Sequence, residues 1–133
     1  PQFRQEILED LVKLNKKVKP ELVLMPSKYD THQDHRTIAM EGFRAFKFTT
    51  ILGYEILQGC SAFDATLFVI LNKHHIDKKI AALSCFKSQK LRTERAGNKF
   101  VALENVRRTS QVAGYRVRTD YAEVFNVVRW IMK

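Results

Sequence analysis

Between two prolines, Pro20 and Pro26, lies the run Glu21-Leu22-Val23-Leu24-Met25, and this short apolar segment limits what the chain can fold into. Five residues are too few for a buried helix and suit a strand. A strand that is almost wholly apolar belongs in a sheet covered on both faces. The segment before it is a different kind of object. Phe3, Ile7, Leu11, Leu14 and Val18 recur at helical spacing, with acidic residues early and lysines late, as the helix dipole favours. Pro20 ends that helix. A second helix is expected from Thr31, with Asp34 three residues on in the manner of a capping box, running through Ile38, Ala39, Gly42, Phe43 and Phe46. Strands are expected within Thr49–Leu57 and over Thr66–Leu71. Helices are expected over Asp77–Ser88 and Phe100–Arg108, and an apolar element over Tyr121–Met132. Helices alternating with buried strands predict an α/β fold. No linker divides residues 1–133, so a single domain is expected.

Charge and cysteine content narrow the setting. Lys and Arg number 23 against 14 Asp and Glu, a formal net charge of +9. Such a surface favours anionic partners. No apolar run approaches the roughly 18 residues of a membrane span. Cys60 and Cys85 stand far apart and form no Cys-x-x-Cys pair, so two mostly buried free thiols and a cytoplasmic setting are expected.

The densest polar cluster follows the Met25 strand: Asp30-Thr31-His32-Gln33-Asp34-His35-Arg36. In α/β sheets ligands bind at loops that leave the carboxyl ends of strands. His32 and His35, three apart at a helix start, share a face. Two imidazoles beside carboxylates can bind a divalent metal, or divide the work between ligand and acid/base. Asp30 and Asp34 are both candidates to fix a histidine tautomer through its second ring nitrogen. A plainer reading makes these residues a solvated loop that caps a helix.

This cluster resembles the D-x-H-P-D-H-R motif of the PIG-L/LmbE-type zinc-dependent de-N-acetylases, with Gln33 in place of the usual Pro. The resemblance continues in order through Tyr54-Glu55, through Lys79-Ile80-Ala81-Ala82-Leu83 with Ser88-Gln89, and through Gly114 with Tyr121-Ala122-Glu123-Val124-Phe125. It implies a Rossmann-like sheet flanked by helices and hydrolysis of an acetamido group on an N-acetylglucosamine-type conjugate. His35 would be a Zn2+ ligand, in a site that another divalent metal could also fill. His32 would face the scissile amide, and Asp34 would support a histidine. Tyr121 and Arg36 would lie toward the substrate. The family's remaining ligands and general base come from an H-P-D-D segment, which does not occur in this sequence. The resemblance therefore implies a domain lacking its N-terminal strand or strands, with the missing half supplied by preceding polypeptide or by a second chain. His74-His75-Ile76-Asp77 does not replace that segment and reads as a turn before a helix.

Two other functions compete. A basic nucleic-acid-binding module fits the net charge, but the cations are dispersed and no zinc-finger, RNP or helix-turn-helix signature is present. A non-catalytic sugar-binding relative is the other. The groups Lys87, Lys90, Arg92, Arg95 and Arg107, Arg108, Arg116, Arg118 are candidates for contact with an anionic substrate.

Overall fold

A computed structural model describes residues 2–56, 59–87 and 102–132. The element order is α1 (Arg4–Val18), β1 (Leu22–Pro26), α2 (Gln33–Ala45), β2 (Thr50–Tyr54), β3 (Leu67–Leu71), α3 (Lys73–Ser84), α4 (Ala102–Arg116) and β4 (Tyr121–Arg129). The fold is α/β, as the alternation of patterns predicts: a four-stranded mixed sheet in the order β1-β2-β4-β3, with flanking helices. β1 and β2 are parallel, in register from Leu22 opposite Thr50 to Pro26 opposite Tyr54. β2 and β4 are antiparallel, with a register irregularity between Ile51 and Leu52. Two compact units are distinguished, Pro1–Leu67 with Val124–Lys133, and Phe68–Glu123.

In the first unit Met25, Ala45, Phe46 and Ile51 form the core, and Leu8, Leu11, Val12, Val23 and Val128 pack against it. α1 thus buries a different stripe from the expected one. Leu11 belongs to both and Ile7 is half-buried, but Phe3, Leu14 and Val18 are exposed, and Leu8 and Val12 pack against the core. Polar contacts choose between the two stripes. Arg4 and Asn15 fall on the Leu8–Leu11–Val12 side, where Arg4 pairs with Glu41 and Asn15 Nδ2 donates to the Ala45 carbonyl at 2.9 Å. Periodicity alone cannot separate two apolar stripes one residue apart. β1 also departs from expectation. Val23 and Met25 turn inward, whereas Leu22 and Leu24 are 50% and 52% exposed, so among the described residues one side of this strand is uncovered.

Glu41 of α2 is fully buried, between Arg4 from α1 and Arg44 one turn on. Both guanidiniums are themselves about half exposed. The Arg4 hydrogen bond, aided by Arg44, outweighs burial and holds the carboxyl below its ordinary range. Because the folded state lowers this value, the ionised pair contributes fully above about pH 4.5 and its contribution is lost as pH falls through the depressed value. Glu41→Gln should therefore destabilise the chain near neutrality, by about 1–3 kcal/mol, and flatten its stability profile below pH 4.5. Urea midpoints across the acid range would check this, and an unchanged profile would remove the bridge from the account.

The helices elsewhere shift against expectation. α2 starts at Gln33, with His32 rather than Thr31 as its N-cap. α3 starts at Lys73, four residues earlier than expected. Asn72 caps it, and Asn72 and His75 form a reciprocal capping box, which gives His75 a structural task. α4 extends to Arg116, so Gly114 lies within its last turn. Of the two thiols, Cys60 is half-buried, and Cys85, just past the end of α3, is exposed.

Candidate functional site

The carboxyl end of β1 delivers the cluster. After Pro26 the chain stays beside β2, with the Ser27 N–H on the Tyr54 carbonyl at 2.9 Å. Ser27 then makes the turn: its hydroxyl accepts the Tyr29 N–H and its carbonyl accepts the Asp30 N–H. A second stretch of loop straps the result from outside. Thr31 N–H reaches the Gly59 carbonyl at 2.6 Å, Ser61 bonds the Tyr29 carbonyl, and Asp30 and Cys60 form an isolated bridge. Asp30 is held on both sides and is 1% exposed.

Each oxygen of this buried carboxylate has a partner. Oδ1 accepts the His32 N–H at 2.8 Å, and Oδ2 lies 2.9 Å from His35 Nδ1. Burial alone pushes the Asp30 carboxyl up. The His32 N–H, the His35 ring and the pull of both imidazoles outweigh it and hold the group below its ordinary value. An ionised carboxylate only accepts, so His35 carries a proton on Nδ1, and in the neutral ring the lone pair lies on Nε2. His32 is arranged oppositely. Its Nδ1 accepts the Asp34 N–H at 3.2 Å, which places the proton of the neutral ring on Nε2. The two rings stack with centroids 4.5 Å apart. Side by side at the helix start, one imidazole presents a lone pair and its neighbour an N–H.

Asp30, not Asp34, orients His35. The Asp34 carboxylate is exposed and lies 3.9 Å from His32 Nδ1, beyond hydrogen-bond length. Its main-chain N–H does the work. Arg36 is exposed, and with Arg4, Gln33, Thr37 and Met40 it lines a cavity of about 390 Å³. Tyr121 belongs to the other unit. There Arg107 bonds both Asp77 and Tyr121, which together hold the guanidinium charge more firmly. Lys79 pairs with Glu123, so two residues of the resemblance meet each other. The expected cationic group at 107–118 is largely engaged: Arg107 with Asp77, Arg108 with Glu104, and Arg116 over the Phe68 ring at 4.9 Å. Ser88, Gln89, Lys90, Arg92 and Arg95 lie outside the described residues.

Gly59 is the site residue that sequence reasoning missed. A Cβ there would come within 2.8 Å of Asp30 Oδ1. Its only signal was a glycine in Gln58-Gly59-Cys60, and nothing local ties that glycine to a carboxylate 29 residues earlier. Gly59→Ala should displace the Asp30 side chain and disorder both imidazoles while the core stays folded. Histidine proton resonances would show it, and unshifted His32 and His35 signals would mean the carboxylate had not moved.

Among the described residues no three His, Cys, Asp or Glu side chains gather where a metal could be held. The donor set fits part of a metal site. His35 offers one imidazole nitrogen, fixed from behind by a buried carboxylate in the manner of metal-ligating histidines.

No family profile and no curated protein sequence matches the chain. Among solved structures the chain is similar to the conserved protein TT1542 from Thermus thermophilus, at 19% identity and a TM-score of 0.70. The likeness covers 96% of this chain and 60% of that one, so this chain spans about 60% of the length of the structure it matches. At this identity, the α/β fold is what the two share.

Proposed function

We propose that the chain carries part of the active site of a zinc-dependent de-N-acetylase of the PIG-L/LmbE type, acting on an N-acetylglucosamine-type conjugate. One observation supports this above the rest: a buried, ionised Asp30 holds His35 by Nδ1 and turns the lone pair of the neutral ring to Nε2, beside a second imidazole that accepts at its own Nδ1. A solvated loop has no need to bury a carboxylate behind a histidine. Zinc, when bound, polarises an acyl oxygen and makes a bound water acidic near neutrality. His35 Nε2 would hold the metal, and Asp30, by taking the Nδ1 proton in a hydrogen bond, aims the ring and leaves the lone pair of its neutral form on Nε2. The remaining ligands and the general base come from outside the described residues.

The rest of the chemistry falls to His32. Its Nε2–H donates toward the oxygen that gains charge as water adds to the amide, and a donor so placed is commonly worth about 3–4 kcal/mol. In its protonated form the same nitrogen can pass a proton to the departing amine. The Asp34 N–H anchors the opposite ring nitrogen and keeps the donor turned outward.

In the complete protein, His35→Ala should lose bound zinc, read by elemental analysis. His32→Ala should keep the metal and lower turnover of an N-acetylglucosaminide by about a hundredfold or more. Stoichiometric zinc in His35→Ala would overturn the ligand assignment. Glycan binding with neither metal nor turnover would point instead to a sugar-binding relative.

A further inference from the structure

The first unit has a second distinctive end, opposite the one that carries Asp30. The amino ends of β1 and β2 meet there, with Leu22 opposite Thr50. The carboxyl end of β4 joins them, since Arg129 pairs with Ile51 and the Thr50 hydroxyl bonds the Ile131 N–H at 3.1 Å. The turn after α2 closes the group: Arg129 donates to the Phe46 carbonyl at 2.8 Å, and Asn15 ties the last turns of α1 to Ala45. On this one end large apolar side chains face water. Phe48 is 86% exposed, Met132 85%, Trp130 57%, and Val18 and Leu22 half or more. Exposed lysines stand among them: Lys16, Lys17, Lys19 and Lys47, against one carboxylate, Glu21, in the same segments.

We propose that this end docks on the surface of an anionic lipid bilayer. Trp, Phe, Met and Leu inserted at headgroup depth, with lysines that reach anionic headgroups, is the composition by which proteins lie on membranes without crossing them. Charge complementarity selects this occupant. A nucleic acid would match the lysines but has no use for Met132, Leu22 and Val18. A second copy would bring four like charges against four. No residue of the Asp30–His35 site takes part in this docking face.

Trp130 is the sole tryptophan, so its fluorescence reports on this end alone. The full chain should show a blue shift and co-sediment with vesicles of phosphatidylcholine and phosphatidylglycerol, and much less with phosphatidylcholine alone. Phe48→Ser, at a fully accessible position, should weaken binding at least tenfold. Lys16→Glu with Lys17→Glu and Lys19→Glu should weaken it about a hundredfold or more, since each lysine near such a surface is worth roughly fivefold. Added salt should also weaken it. Circular dichroism would confirm that both variants fold. No shift with anionic vesicles would overturn the proposal, as would equal binding to both vesicle types. A shift that follows protein concentration without lipid, with doubled mass in sedimentation, would assign the face to a second copy. A shift produced by duplex DNA but not by vesicles would assign it to nucleic acid.

Discussion

Asp30→Asn is expected to leave the first unit folded and to remove most of the proposed activity, by about ten- to a hundredfold. The substitution keeps the shape, and its amide oxygen can still accept the His32 N–H that Asp30 accepts at 2.8 Å. What changes is the partner offered to His35. An amide NH2 donates where the carboxylate accepted, so His35 Nδ1 must become an acceptor and its proton moves to Nε2. The nitrogen proposed to hold zinc then has no lone pair to offer. Nitrogen NMR of the histidine rings would show the tautomer exchange directly, and metal content would fall with it. Asp30→Ala goes further. It leaves the His32 N–H unpaired and should cost about 1–3 kcal/mol of stability. A pH effect of the same origin accompanies it. The folded state lowers the Asp30 value below 3.8, so the carboxylate stabilises the fold above about pH 3.8 and ceases to do so as pH falls through the depressed value. The Asn variant should lack that part of the acid dependence. Full turnover by Asp30→Asn, with the tautomer unchanged, would sink the proposed division of labour between the rings.

Gly114→Ala should be strongly damaging in the second unit, at about 3 kcal/mol. The chain turns back over this residue. Its carbonyl accepts the N–H groups of Val117 and Thr119, both at 3.0 Å, and Arg118 takes a left-handed conformation with φ 59°. A methyl group would meet the Thr119 carbonyl oxygen at 2.6 Å, Tyr121 N at 2.7 Å and Asp120 C at 2.8 Å. All three are main-chain atoms and cannot swing aside. Relief requires the turn between α4 and β4 to open, which would displace Tyr121 at the start of the strand. Urea denaturation and amide exchange at Tyr121 and Ala122 are the measurements. An unchanged midpoint would show that the turn can yield.

The site was partly legible because its chemistry is local in sequence. Asp30, His32 and His35 fall within six residues, so a strand end and one helical turn bring them together with little help. Which carboxylate served which ring was not legible. Asp30 and Asp34 are both near the rings in sequence, and the choice depends on burial. The Gly59–Ser61 strap shuts Asp30 away from water and leaves Asp34 in it. The capping of α2 shows the same dependence. Thr31 is the better N-cap by composition, but its N–H is drawn to the Gly59 carbonyl, and His32 takes the position.

Whatever repeats or lies close along the chain could be read before any fold was known. An apolar run between prolines made β1, apolar residues at helical spacing made α1, and a polar knot after a strand marked the candidate site. The folded molecule settled what depends on which distant group arrives. Arg4 reaching Glu41 rotated α1 onto Leu8 and Val12, Gly59 closed over Asp30, and β1 took the outside of the sheet with Leu22 and Leu24 uncovered. Local pattern fixes backbone conformation through periodicity and turn chemistry. Burial and pairing are set by contacts between residues tens of positions apart, and no local pattern records those.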